Sequence, residues 1–333
     1  MSLASVRNMR SQWFPPRPSF TEHQAPSQIG RVFIVTGGNA GVGYELVRIL
    51  YTTGATIYMA SRSKERAEKA IEAITSAAPA PKTPGHIKVL PLDLNDLESV
   101  KEAAASFAQQ ESKLDVLWNN AGTGALGVEV GARTKQGFEA MVGMHCIAAQ
   151  LFTQLLIPQL RAAVTTAPRG SVRVVWTSSF LGDASSPTNG IDFSTLEKGT
   201  SDRTRNYAVS KIGNWVLGRE MATRYPDIVS VTQNPGNLKA GSYAGTPTLA
   251  MFFINPLLHD PKFGGYTELF AGLSPEVSLE NNGAYVIPWG RIRSDSDCPR
   301  KDIINALKPE ADGGLGYTAK FWDWCEEQWR PFA

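Results

Sequence analysis

A tyrosine and a lysine four residues apart, in Tyr207-Ala208-Val209-Ser210-Lys211, have the types and spacing for acid–base chemistry. On a helix such a pair shares one face, one turn apart. An ammonium fixed beside a phenol stabilises the phenolate and lowers the phenol pKa from its usual value of about 10. A phenol adjusted in this way exchanges protons near neutral pH. The pair alone fits the solvated face of any helix. It gains meaning from three upstream stretches: the glycine-rich turn from Thr36 to Gly43, Asn119-Asn120-Ala121-Gly122, and Ser178-Ser179.

Each stretch follows an element that would hold it. Arg31-Val32-Phe33-Ile34-Val35-Thr36 is a short apolar, β-branched run, predicted as a buried strand. It leads into Gly37-Gly38-Asn39-Ala40-Gly41-Val42-Gly43 and then a helical pattern through Leu46, Val47, Ile49 and Leu50. Strand, glycine turn and helix together aim backbone N–H groups and a helix N-terminus at a pyrophosphate. A plain glycine-rich turn would read the same, but the flanking elements favour nucleotide binding.

The second strand, Thr56-Ile57-Tyr58-Met59-Ala60, ends at Ser61-Arg62-Ser63. In a dinucleotide fold that tip reads the adenosine ribose: a carboxylate there suits NAD, and an arginine suits the 2′-phosphate of NADP. Arg62 stands there, with Lys64 and Arg66 close behind and no Asp or Glu at the tip. Arginine's planar, always charged fork matches a phosphate, so NADP is expected. A surface arginine opening a helix is the plain alternative.

The alternation continues. A helix is expected over about Lys64 to Ser76, then a strand from His86 to Leu92 that leads into Asp93 and Leu94, where an adenine would lie. Asp93 fits equally as the cap of a helix from about Asn95 to Gln109. Further strands are expected at Leu114–Trp118, Val172–Thr177 and Val229–Gln233, with a seventh at Gly283–Trp289, and a helix over about Gln136 to Leu160. Near-continuous apolar strands alternating with helices imply an α/β fold: a doubly wound parallel sheet of about seven strands, helices on both faces. The candidate residues fall at the C-terminal ends of strands, the ligand-binding edge of such sheets.

Composition narrows the classes. The chain has 333 residues, 33 basic and 31 acidic, for a net charge of +2, with no dense basic block, which argues against a nucleic-acid binder or polybasic membrane anchor. The three cysteines, Cys146, Cys298 and Cys325, show no metal-ligand spacing and no disulfide framework, and are read as reduced thiols. No apolar run reaches bilayer length, and Arg7 and Arg10 interrupt the N-terminus, so a cytoplasmic protein is expected. An apolar C-terminal surface leaves peripheral membrane contact open.

Over about residues 27 to 290 the sequence resembles the short-chain dehydrogenase/reductases. Thr36-Gly37-Gly38-Asn39-Ala40-Gly41-Val42-Gly43 fits the family's T-G-x-x-x-G-x-G, Asn119 to Gly122 its N-N-A-G, Ser179 its serine, and Tyr207 with Lys211 its Y-x-x-x-K. The stretches 234–239 and 271–275 are similar to fungal members related to retinol dehydrogenases, many of which act on small-molecule carbonyls, secondary metabolites included. The resemblance implies a Rossmann fold binding NADPH without a metal. It implies a cofactor site of Gly37, Asn39, Gly41, Val42, Gly43, Arg62, Asp93, Leu94, Asn120, Ala121, Gly122, Tyr207, Lys211, Pro235, Gly236 and Leu238. Ser179 and Tyr207 would hydrogen-bond the carbonyl oxygen, Tyr207 would protonate it, and Lys211 would hold the nicotinamide ribose and lower the tyrosine's pKa.

Three departures stand out. His145 falls where the family has its fourth catalytic residue, an asparagine that holds a water linking the lysine to solvent. A histidine there could hold that water, pass protons with its pKa near 6.5, block the relay, or merely pack. The segment from Phe180 to Arg205 is longer than usual and is expected as an irregular loop beside the site. Ala240 stands where a threonine often contacts the cofactor, and Ala40 replaces a small hydroxyl in the glycine turn.

From Ala240 to Phe270 the chain is rich in Leu249, Met251, Phe252, Phe253, Ile254, Leu257 and Leu258, the place of the family's substrate cap, which suggests a lipophilic substrate. A docked core helix or a dimer contact is the alternative. The expected organisation is an N-terminal extension over 1–29, with its aromatics against the domain surface. One domain follows over 30–333, with a cap over 237–282 and a C-terminal extension over 290–333. In that extension Phe321, Trp322, Trp324 and Trp329 have amphipathic helical spacing. The reading is an NADP-dependent oxidoreductase of a lipophilic alcohol or ketone; a homodimer would be usual for the family. The rivals are a non-redox isomerase or cyclase on the same Ser/Tyr/Lys site and a non-catalytic NADP-binding protein.

Overall fold

Apolar, β-branched runs form most of the strands, and the computed structural model describes residues 3–239, 251 and 254–333. In chain order these are β1 (Val32–Thr36), β2 (Thr56–Ser61), β3 (His86–Pro91), β4 (Val116–Asn119), β5 (Arg173–Thr177), β6 (Val229–Gln233), β7 (Tyr285–Ile287) and β8 (Arg291–Arg293). They make one sheet in the order β3-β2-β1-β4-β5-β6-β7-β8. All neighbours are parallel except β7 and β8, where Val286 opposes Ile292 in an antiparallel pair. Among the described residues the sheet thus has eight strands, one more than expected. The extra strand is Arg291-Ile292-Arg293, three residues with two charges, too short and too polar to show in a hydrophobic pattern.

The strand order reverses between β1 and β4, where Val35 lies opposite Met59 on one side and Trp118 on the other. Crossovers leaving in opposite directions open a crevice at that point, and ligands bind there.

Alternation along the strands builds two cores. Ile34, Tyr58, Leu117, Val174 and Trp176 face one side, under α4 (Leu97–Gln110), α6 (Ala148–Leu155) and α9 (Arg203–Arg224). Phe33, Val35, Met59, Trp118 and Val175 face the other, under α2 (Gly41–Tyr51) and the Pro261–Leu273 helix. That helix lies close: a Cβ on Gly272 would stand 2.0 Å from the Trp118 ring, so an alanine would force overpacking at a cost of about 1–3 kcal/mol. The stretch expected as a cap therefore divides. Pro261–Leu273 is a core helix, Leu258 is buried and Ile254 lines the cavity described below. Ala240, Leu249, Phe252 and Phe253 lie outside the described residues.

Asp202 caps α9 by accepting from the N–H groups of Thr204 and Arg205. Tyr207 through Lys211 are all buried. Part of the cover is the Tyr317–Trp329 helix, with Phe321, Trp322 and Cys325 buried. Gly213 of α9 permits this approach, since a Cβ there would lie 2.9 Å from the Phe321 ring.

Several local expectations change. The helix expected over Gln136–Leu160 is α5 (Ala140–Val142), a π turn at Gly143–Ile147, α6, and then α7 (Ile157–Val164) beyond a 53° bend. No single helix among the described residues is long and apolar enough to cross a membrane, and the bent pair contributes Ile147, Leu151, Phe152 and Leu160 to the core. The cap of α4 is Asp96, not Asp93; Asp93 instead accepts from the N–H of Asn95. The segment after Ser179 is not wholly irregular, because α8 (Phe180–Ser185) opens it. Residues 3–13 form α1 (Leu3–Trp13), and the proline-rich stretch 14–18 is irregular. Phe20 is buried and Trp13 half-buried, whereas Phe14 is exposed.

Candidate active site

The glycine turn is held by one threonine. Thr36 Oγ1 accepts from the N–H groups of Asn120 and Ala121, each at 2.9 Å, and donates to the Trp118 carbonyl. The Asn120 amide returns a bond to the Thr36 carbonyl at 2.7 Å. The tips of β1 and β4 are thereby locked together at the crevice. Gly37 and Gly41 take φ values of +69° and +55°, which side chains disfavour. A Cβ on Gly43 would lie 2.5 Å from the Gly37 carbonyl oxygen. Ala40, the N-cap of α2, has no side chain to cap the helix, so its first N–H groups remain for a ligand.

At the tip of β2, Arg62 and Arg66 are exposed and line the same cavity. Neither makes an ion pair among the described residues, whereas Lys64 turns to Glu68 at 3.8 Å. Ser61 links this tip to the glycine turn by donating to Asn39 Oδ1 at 3.0 Å.

At the tip of β5 the two serines divide. Ser178 is buried and donates to the Lys211 backbone carbonyl at 2.8 Å. Ser179 is half-buried on the cavity wall, and its oxygen accepts from the N–H of Leu181, which keeps its own proton available. Lys211 Nζ donates to the Thr177 carbonyl at 3.1 Å and lies 5.6 Å from the centre of the Tyr207 ring. Burial brings the Lys211 ammonium down to about 8, against the pull of Cys146 and Glu268.

His145 sits in the π turn, buried behind the cavity wall. Its Nε2 accepts from the N–H of Thr123 at 3.1 Å. Its Nδ1 is 2.8 Å from Ser210 Oγ, which donates to the Tyr207 carbonyl. An acceptor at Nε2 and a spent hydroxyl proton on Ser210 define the neutral imidazole with its proton on Nδ1. Burial, and then the Lys211 charge, hold its pKa well below 6.5. Gly122 fits between the two groups: a Cβ there would be 2.9 Å from His145 Nε2 and 3.3 Å from Lys211 Nζ.

A cavity of about 700 Å³ at the crevice gathers nearly all of the expected residues. Gly37, Asn39, Gly41, Val42, Arg62, Asp93, Leu94, Asn120, Ala121, Gly122, Ser179, Tyr207, Lys211, Pro235, Gly236 and Leu238 line it. Gly43 and His145 do not; they stand behind the wall and shape it. The sequence reading missed Thr123, Leu126, Met144, Leu181 and Thr204, which also line the cavity. Thr123 and Leu126 occupy a loop, Leu181 and Thr204 helix starts and Met144 the π turn, where no spacing rule marks them.

The model of the short chain dehydrogenase family matches residues 31–191. A short-chain dehydrogenase/reductase of Pestalotiopsis fici, iacJ, is 48% identical over 98% of this chain and 99% of its own. One from Neocamarosporium betae, bet4, is 41% identical over 98% of this chain and 94% of its own. A protein of Mycobacterium paratuberculosis shares the fold, with a TM-score of 0.66, 24% identity, and coverage of 93% of this chain and 97% of that one. With the glycine turn, the N-N-A-G stretch, Ser179, Tyr207 and Lys211 on one cavity, and these relatives over almost its whole length, the chain belongs to the short-chain dehydrogenase/reductase family of oxidoreductases.

Proposed function

We propose that the protein is an NADP(H)-dependent oxidoreductase that moves a hydride between the nicotinamide and a lipophilic alcohol or ketone. One observation carries the reading: a single cavity is lined by Arg62 and Arg66 at the tip of β2 and by Ser179, Tyr207 and Lys211 beyond the tip of β5. Those tips are three strand intervals apart, or about 14 Å, so a ligand touching both is elongated. A setting in fungal secondary metabolism is part of this reading and rests on the resemblance of stretches 234–239 and 271–275 to fungal members of the family.

The residues present fit the cofactor. Gly37 and Gly43, where a Cβ would strike Asn120 and, at Gly43, the Gly37 carbonyl, let the turn close tightly beside the uncapped start of α2, an arrangement that suits a pyrophosphate. The paired arginines suit a 2′-phosphate, which a carboxylate at that tip would repel. When bound, the nicotinamide supplies or accepts the hydride.

The chain's own residues do the rest. Ser179 and Tyr207 orient the substrate oxygen on the cavity wall. Tyr207 gives its proton to that oxygen as negative charge develops there, or takes it in the reverse direction. Lys211, fixed on the Thr177 carbonyl, keeps a positive charge beside the phenol. Leu126, Met144, Leu181 and Ile254 give the wall an apolar part that favours a lipophilic substrate.

The test is NADPH absorbance against a panel of lipophilic ketones and aldehydes, with Tyr207→Phe as the control. Consumption that vanishes in the variant supports the reading. Tight NADPH binding without turnover across the panel favours the non-redox rival, to which the replacement of the family's asparagine by His145 also points. Unimpaired function in Tyr207→Phe favours the non-catalytic one.

A further inference from the structure

Directly beneath the catalytic edge lies a carboxyl that the mechanism above does not use. Glu268, on the Pro261–Leu273 helix, is 0% exposed. Its Oε1 accepts from Thr177 Oγ1 at 2.9 Å and from the Gln233 amide at 2.7 Å. Its Oε2 is buried with no hydrogen-bond partner among the described residues. Thr177 is the shared element. Its backbone carbonyl takes the Lys211 ammonium on one face of the sheet, and its hydroxyl takes Glu268 on the other. Burying a carboxyl with one oxygen left unsatisfied is costly, so its place below the catalytic lysine calls for a function.

We propose that Glu268 is a positioning residue for Lys211: through Thr177 it fixes the ammonium and, by giving up its own proton in place of the ammonium's, keeps the ammonium charged as the pH rises. This rests on the reading of Lys211 as a cofactor-binding ammonium. The surroundings leave few competitors. Lys211 is also faced by Tyr207 of α9 and by His145 and Cys146 of the π turn. Glu268 meets uncharged groups from β4 (Trp118) and β6 (Gln233). Arg173 of β5 binds the carbonyls at the far end of the same helix, Ala271 and Ser274. Glu45 and Arg48 of α2 pair with each other near Gly265, and Lys262 of the same helix pairs with Glu22.

Burial moves Glu268 up to about 8 and Lys211 down to about 8. The two therefore titrate together, and one proton leaves the pair first. With Glu268 present, that proton can leave the carboxyl, and the ammonium persists across Thr177 from the carboxylate. With a neutral group in its place, the proton leaves Lys211.

The experiment measures NADPH affinity by quenching of tryptophan fluorescence from about pH 6 to about pH 9 in the parent, Glu268→Gln and Thr177→Val. Glutamine keeps the acceptor for Thr177 and Gln233, and valine keeps the carbonyl that holds Lys211. Both variants are expected to match the parent near pH 6. Both should lose affinity at a pH lower by about half to one unit, hence about three- to tenfold weaker binding near pH 8.5. Profiles that superimpose on the parent's, or a loss equal at every pH, overturn the proposal; if Glu268→Gln does not fold, Thr177→Val decides alone. The readout needs no substrate, so it stands apart from the Tyr207→Phe result. A parent that does not bind NADPH at all overturns the cofactor reading itself, and this inference with it.

Discussion

His145 Nδ1 stands 2.8 Å from Ser210 Oγ, which in turn donates to the carbonyl of Tyr207. The histidine that the resemblance aligns with the family's asparagine is thus tied to the backbone of the helix carrying Tyr207 and Lys211, while its Nε2 holds the N–H of Thr123. Of the roles open to it, positioning fits this geometry and proton transfer does not.

A neutral buried histidine has a signature in stability. Its folded-state pKa lies well below 6.5, so the unfolded chain binds the extra proton more readily. Its contribution to stability is fully present above about pH 6.5 and is lost as the pH falls toward the folded-state value. In urea unfolding at a series of pH values, His145→Asn is expected to lose part of the acid sensitivity below about pH 6.5. An unchanged slope in the variant would contradict the neutral assignment.

Arg62 should decide between cofactors. Charge-assisted bonds to a phosphate are worth about 1.5–3 kcal/mol, so Arg62→Ala should weaken NADPH binding about ten- to hundredfold and leave NADH nearly unchanged. Calorimetric titration with both nucleotides checks this. Equal losses for the two would remove the basis for NADP preference.

The adjacent serines should separate cleanly. Ser179→Ala is expected to lower kcat about 10²–10³-fold with little change in unfolding midpoint, as loss of a donor to a developing oxyanion does. Ser178→Ala breaks a buried bond to the Lys211 carbonyl and should cost about 1 kcal/mol in stability. Kinetics alongside denaturant unfolding of both variants gives the comparison. The reverse pattern would exchange their roles.

The loop after Ser179 is anchored by a buried ion pair. Arg293 of β8 pairs with Asp183 of α8, both nearly fully buried, and its guanidinium stacks 4.3 Å from the centre of the Tyr285 ring. Arg293→Met leaves an uncompensated carboxylate and should cost about 3–5 kcal/mol, whereas Arg293→Met with Asp183→Leu should recover much of it. Urea unfolding of the single and double variants tests the coupling.

The strands β1 to β6 and the catalytic and glycine motifs were legible because each is local. A buried parallel strand is a continuous apolar run, the more exposed edge strand β3 alternates Ile87 and Val89 with polar residues, a tight turn needs glycine, and Tyr207 and Lys211 need only one helical turn between them. Features settled by distant contacts were not legible. Asp93 and Asp96 both look like caps, and only the fold selects Asp96. The π turn carries no residue type that announces it. Glu268 lies in a stretch that reads as apolar cap, and its place under Thr177 emerges only when residues 91 apart in sequence meet.

The cover over α9 has a consequence in time. Synthesis runs from the N-terminus, and domains close as their parts emerge from the ribosome. Tyr207 and Lys211 are translated more than a hundred residues before Phe321 and Trp322, which seal the same helix against the body. Until those aromatic residues leave the exit tunnel, the helix that carries Tyr207 keeps an uncovered apolar flank. A nascent chain at that stage is a client for chaperones rather than a weak enzyme, and a stop codon between 212 and 321 should yield an aggregating product instead of a slower one.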